Sequence, residues 1–188
     1  MPTLVLFIVV AVTVITSVGS LVMIYNSLVQ VRNNVDKAWK NIDVLLEQRH
    51  DEIPKLVETC AAYMQHERET LDNLTRLRTG YHQASDVAKK VEIENLINRE
   101  MQHLNLVMEQ YPDLKAIDAF GKVLDRVSAL ESAIADRREF FNDSINIYNI
   151  QIERFPSLIF ARLLNYQRKE YLEVAQEKKG DVGMNFRR

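Results

Sequence analysis

The chain has 188 residues, with 24 Lys plus Arg against 26 Asp plus Glu and a net charge of −2. That balance argues against nucleic acid as a partner, because phosphate binding needs a strongly basic face. Only 5 Gly, 4 Pro and 1 Cys occur, so long runs of good helix formers are uninterrupted and no disulfide within the chain is possible, which points to an all-α protein.

In chain order, no charged side chain appears between Pro2 and Gln30. After a two-residue tail (1–2), residues 3–25 are apolar over the roughly 20 positions that span a bilayer, so a transmembrane helix is expected there. A cleaved signal peptide is the rival reading. It fits less well, since no Lys or Arg precedes the run and the run exceeds the usual length of about 7–15 residues. Arg32, Lys37 and Lys40 follow the span, which predicts an N-terminus outside the cell (inner) membrane and a cytoplasmic C-terminal domain over 26–177.

Leu28, Val31, Val35, Ala38, Ile42, Leu45 and Arg49 then recur at steps of three and four, the seam of a helix packed on others. The anchor is therefore expected to run on into a first helix, ending at Pro54, where a second helix begins with the seam Ile53, Val57, Cys60, Met64, Glu67, Leu71, Leu74, Arg78 and Tyr81. A third carries Ile93, Ile97, Glu100, Leu104, Val107 and Tyr111 and stops before Pro112. The fourth is longest, with a seam from Ile117 through Glu131, Arg138, Phe141 and Tyr148 to Phe155. It outruns its neighbours, which predicts either a bend near residues 142–149 or a bundle standing off the bilayer. Residues 157–177 read as a short fifth helix and 178–188 as a flexible tail. The fold class expected is all-α, an N-terminal transmembrane helix continuing into an up-and-down antiparallel bundle of four long helices plus a short C-terminal helix.

These residues resemble the LemA family of bacterial membrane proteins. The likeness is carried by Tyr25-Asn26, Leu28-Val29, Arg32-Asn33, Ala38-Trp39, Ile42-Asp43-Val44, Arg49, Ile53-Pro54, Leu56-Val57 and His66-Glu67. It continues through Tyr111-Pro112-Asp113-Leu114-Lys115-Ala116, Tyr148-Asn149 and Phe155-Pro156. It departs at Arg138 with Phe141-Asn142 in place of Arg followed by Tyr-Asn, and in a fifth helix poorer in Gly. The resemblance implies a membrane-anchored helical bundle akin to cell-envelope proteins and, in one branch, to proteins of magnetosome membrane formation. It supplies no catalytic residues.

Six seam positions are charged: Arg49, Glu67, Arg78, Glu100, Glu131 and Arg138. Buried charge is costly, so a structural role in pairing and register is expected, with a bridge between Arg78 and Glu131. A dimetal carboxylate site is the sharper reading, because Glu47/His50 and Glu100/His103 have Glu-x-x-His spacing. Glu47 points away from the seam and the seam arginines would repel a dication, so no metal and no cofactor are assigned. Neither a nucleophile elbow nor a phosphate loop is present. The fifth helix combines Leu158, Ile159, Phe160, Leu163, Leu164 and Tyr166 with Arg162, Arg168 and Lys169, which suits a membrane interface; capping the bundle is the alternative. The functional expectation is a non-enzymatic, membrane-anchored scaffold that binds the lipid bilayer, copies of itself as a homo-oligomer and other membrane or envelope proteins, with no small-molecule substrate. The runner-up is a membrane-shaping protein whose oligomer curves the bilayer. Asn142, Asn146 and Asn149 are the candidate exposed contact surface of the scaffold.

Overall fold

A computed structural model describes residues 2–115 and 117–172, which are mostly helical with no strand among them. The expected tail at 178–188 and the end of the predicted fifth helix lie outside these residues. The first helix, α1, runs from Pro2 to Ala61. Its N-terminal part is long and apolar enough to cross a bilayer, and none of the other described residues covers it.

Pro54 sits inside α1 instead of ending it. A proline removes the N–H that would bond the carbonyl four residues back, here that of His50. Arg78 Nε donates to that carbonyl at 2.8 Å, so the gap in the ladder is filled from outside and the helix continues. The turn comes later, through a 3₁₀ turn at Gln65–Glu67, and the first residues assigned to a second helix belong to α1. Five further helices follow among the described residues, α4 a single short turn: α2 (Arg68–Gln83), α3 (Val87–Val107), α4 (Pro112–Lys115), α5 (Asp118–Glu153) and α6 (Ser157–Leu163).

The chain divides into two compact units. One comprises Met1–Ile42 and Asp136–Leu172. Its core is Leu28, Val35, Ala38 and Ile42 of α1 with Phe141, Ile145, Tyr148 and Ile152 of α5 and Ala161 of α6. Trp39 meets Phe141 edge-on at 5.9 Å, while Gln151 donates to Ser27 at 3.1 Å, so α5 runs back along α1 here. No residue of α2 or α3 belongs to this unit, which accounts for the overshoot: α5 stays helical through residues 142–149 and packs on α1 alone, with α6 and the segment after it.

That segment corrects the expected fifth helix. Helix stops at Leu163, and Asn165 takes a left-handed φ of 55°, a conformation Asn tolerates better than most residues. Residues 166–172 then run extended along α5. Asn149 donates to and accepts from the Lys169 backbone at 2.9 and 3.0 Å, and Asn142 does the same with Leu172 at 3.1 and 2.8 Å. The spacing explains the fit: seven helical residues rise about 10.5 Å and three extended ones about 10 Å. Asn142 and Asn149 are thus occupied by this strap, and Asn149 is only 2% exposed, so they are not the open contact surface expected of them.

The other unit spans Asp43–Ala135. Here Asp43 meets Tyr81 and His50 meets Arg78, Asn73 meets Glu100 and Arg126 meets Gln48, so each helical segment touches at least one neighbour. Cys60 is fully buried among apolar side chains, and burial pushes its thiol up to about 11.

Candidate membrane-facing site

Polarity ends abruptly at residue 25, and what lies level with that point in the first unit decides what the chain presents to a bilayer. Gln151 Nε2 donates to both Ser27 Oγ at 3.1 Å and Ser157 Oγ at 3.2 Å. Ser27 follows the apolar run by two residues and Ser157 opens α6. One side chain therefore pins the start of α6 to the level at which the apolar helix ends.

From that start, the spacing i, i+4 places Ile159 and Leu163 on one face of α6, 59% and 80% exposed, and Phe155, in the turn that precedes the helix, is 76% exposed. The opposite face, Ser157 and Ala161, is buried. An amphipathic turn with its apolar side outward is unfavourable in water unless something apolar covers it. Of the six residues assigned to an interface from sequence, Ile159, Leu163 and Leu164 are exposed. Leu158, Phe160 and Tyr166 are half-buried. Phe155 had read as the last core position of the long helix; α5 ends at Glu153, so Phe155 falls in the turn beyond the seam and lies exposed.

Polar groups rim these exposed residues. Arg32 lies 5.7 Å from the Tyr166 ring centroid, and its hydrogen bond to the phenol oxygen, with the charge of that phenolate, holds the guanidinium above its ordinary value. Lys169 lies over the Tyr148 ring at 5.8 Å and 3.6 Å from Asp36, and Arg168 pairs with Glu153 at 3.0 Å. Tyr148 donates to the Gln167 carbonyl at 2.9 Å, and burial raises its phenol. The arrangement sets an exposed apolar group beside Arg32, Arg168 and Lys169.

A model of the LemA family matches residues 38–186. The chain belongs to the LemA family. This LemA-family chain is 24% identical over 173 residues to Protein LemA of Metamycoplasma hominis, covering 89% of this chain and 79% of that protein. It is 22% identical over 187 residues to Magnetosome protein MamQ 2 of Paramagnetospirillum magneticum, covering 86% and 69% respectively. A shorter stretch of 68 residues is 32% identical to Magnetosome protein MamQ of Magnetospirillum gryphiswaldense, 36% of this chain and 25% of that one. None of these names states a catalytic activity.

The charged seam residues of this LemA-family chain are placed unequally. Arg49 is buried, but its partner is Glu94, with Asn98 accepting a further bond at 2.9 Å. Glu94 also meets His50 Nε2 at 2.5 Å, and His50 is fully buried with its ring edge-on to Tyr81 at 4.2 Å. Glu67, Arg78, Glu100, Glu131 and Arg138 are half-buried instead of buried. Arg78 faces His50 and, at 3.8 Å, Asp51, so the expected bridge to Glu131 is replaced; the helix levels behind that expectation had assumed a break at Pro54. Glu100 accepts from Asn73 at 3.2 Å, and Glu67 lies 3.7 Å from His103. The two Glu-x-x-His pairs are thereby split: His50 is engaged by Glu94, and Glu100 by Asn73. Among the described residues no three His, Cys, Asp or Glu converge as a metal-binding group. Glu94 escaped the sequence reading because it sits beside the Ile93–Ile97 seam, though Asn98 four residues on marks the same polar face.

Proposed function

We propose that this chain is a membrane-anchored helical scaffold of the bacterial cell membrane. In this reading residues 3–25 cross the bilayer once, and the helical domain after them lies on the cytoplasmic side, its four-helix up-and-down bundle formed within residues 43–135, associating with copies of itself and with other membrane or envelope proteins. No catalytic step, cofactor or small-molecule substrate is assigned to it. Membrane association is supported by the apolar N-terminal helix and by family membership.

The carrying observation is that Ile159 and Leu163 on one face of α6, and Phe155 in the turn before it, are exposed, while Gln151 holds the start of α6 level with the end of the apolar helix. A single anchor leaves a domain free to swivel. A second apolar contact fixes its tilt, and burying three large side chains contributes on the order of 1.5–3 kcal/mol each when complete. The same group favours the second reading, membrane shaping, because a short helix wedged into one leaflet spreads its headgroups.

To test insertion, the full chain with Cys60→Ala and a single Leu163→Cys is labelled with an environment-sensitive dye in vesicles containing acyl-brominated lipid. Quenching at residue 163, with none for the same dye at Lys40→Cys, is the expected result. An unquenched dye at 163 rejects the second contact. Vesicle tubulation at high protein density, lost on Phe155→Asp with Leu163→Asp, would promote membrane shaping over a passive scaffold.

A further inference from the structure

We propose that the open groove between α1 and α5 in the first unit receives a second copy of this chain, two helix pairs side by side completing a four-helix bundle that stands along the membrane normal. The inference rests on the membrane-anchored, self-associating reading above and names the surface responsible.

Beside its core seam, α5 carries a second row at steps of three and four: Arg137, Phe140, Ser144 and Ile147. Phe140 and Ile147 are 53% and 57% exposed although they sit seven residues apart on one face. Opposite them α1 presents Asn34, Lys37 and Asn41, and the two rows bound an open hollow of about 520 Å³. Isolated exposed apolar residues need no explanation, but two on a repeating seam lining a hollow are the pattern of an unfilled helix interface.

Three features select a copy of the same chain as the occupant. Copies anchored in one membrane share one orientation, so a two-fold axis along the membrane normal is the arrangement open to a pair, and it brings residues of equal height together. Asn34 and Asn41, seven residues apart, then face their own counterparts. A carboxamide is donor and acceptor at once and is complementary to itself, and a lone Asn in a helix seam specifies register and strand number. The third feature is charge. The antiparallel levels fixed by Gln151 to Ser27 and Trp39 to Phe141 put Asp143 within about one helical turn of Lys37 in height, so each copy's lysine meets the other's aspartate across the axis.

The test uses the full chain with Cys60→Ala in native membranes. Asn34→Cys and Asn41→Cys are expected to form disulfide-linked pairs on mild oxidation at least tenfold more than Lys40→Cys on an exposed face, and Ile147→Asp should cut the Asn41→Cys product at least tenfold. Lys37→Asp and Asp143→Lys should each shift particle mass in mild detergent toward one copy, and the double reversal should restore it. A multimeric particle without cross-links at 34 and 41, or equal cross-linking at 40, overturns the groove while leaving self-association standing. A one-copy particle without cross-links overturns both.

Discussion

The carbonyl of His50 has no partner within its own helix, because the residue four positions on is Pro54. A buried carbonyl left unpaired costs about 1–3 kcal/mol, and the Arg78 guanidinium, donating at 2.8 Å, removes that cost. Arg78→Met is therefore expected to destabilise by about 1–3 kcal/mol. In a Pro54→Ala background the alanine N–H supplies the missing bond, and the same change should cost about 1 kcal/mol less. Denaturant unfolding of the four proteins in mild detergent measures the coupling; equal losses in both backgrounds would show that Arg78 acts through Asp51 alone. The pairing with Glu131 expected from sequence did not form, since no rule of periodicity distinguishes a proline that ends a helix from one rescued by a side chain of the next helix.

At the scale of elements, the three-four rhythm was highly legible. Leu28, Val35, Ala38, Ile42, Phe141, Ile145, Tyr148 and Ile152 were all assigned to seams and all are buried. Apolar periodicity reports which face meets a core, and it did so in α1 as far as Ile42 and in α5 as far as Ile152, whereas Phe155 is exposed and Leu46 is buried in place of Leu45. It failed where hydrogen bonding outside a helix decided the backbone. Residues 164–172 have ordinary helix-forming composition, yet the side chains of Asn142 and Asn149 hold their backbone extended. Asn149→Ala is expected to release one rung: the Lys169 amide should exchange with solvent roughly tenfold faster, in line with about 1.4 kcal/mol of lost hydrogen bonding, while the Leu172 amide, still held by Asn142, changes little. Equal acceleration at both would mean that the strap opens as a whole.

Across the molecule, the two units are held by different chemistry, and acid should separate them. Neutral amide pairs tie the first, where the ion pairs Arg168–Glu153 and Lys169–Asp36 are exposed enough to contribute little. The second contains the Arg49–Glu94 pair and an Asp43 carboxylate that accepts from Lys90 at 2.7 Å and Tyr81 at 2.5 Å. Burial pushes the Asp43 carboxyl up, but the bonds from Lys90 and Tyr81 and the Lys90 charge outweigh it and hold the group below its ordinary 3.8. A carboxyl depressed by folding stabilises above its unfolded value, and that contribution disappears as pH falls through the folded one. The stability advantage of the native chain over Asp43→Asn should accordingly be constant near neutrality and shrink only below about pH 3.8. Hydrogen exchange read by segment places the loss: amides of α2 and α3 should gain exchange in the native chain over that interval, whereas the strap amides of Lys169 and Leu172 keep their protection. An advantage that fades already between pH 7 and 5 would assign it to a group other than Asp43.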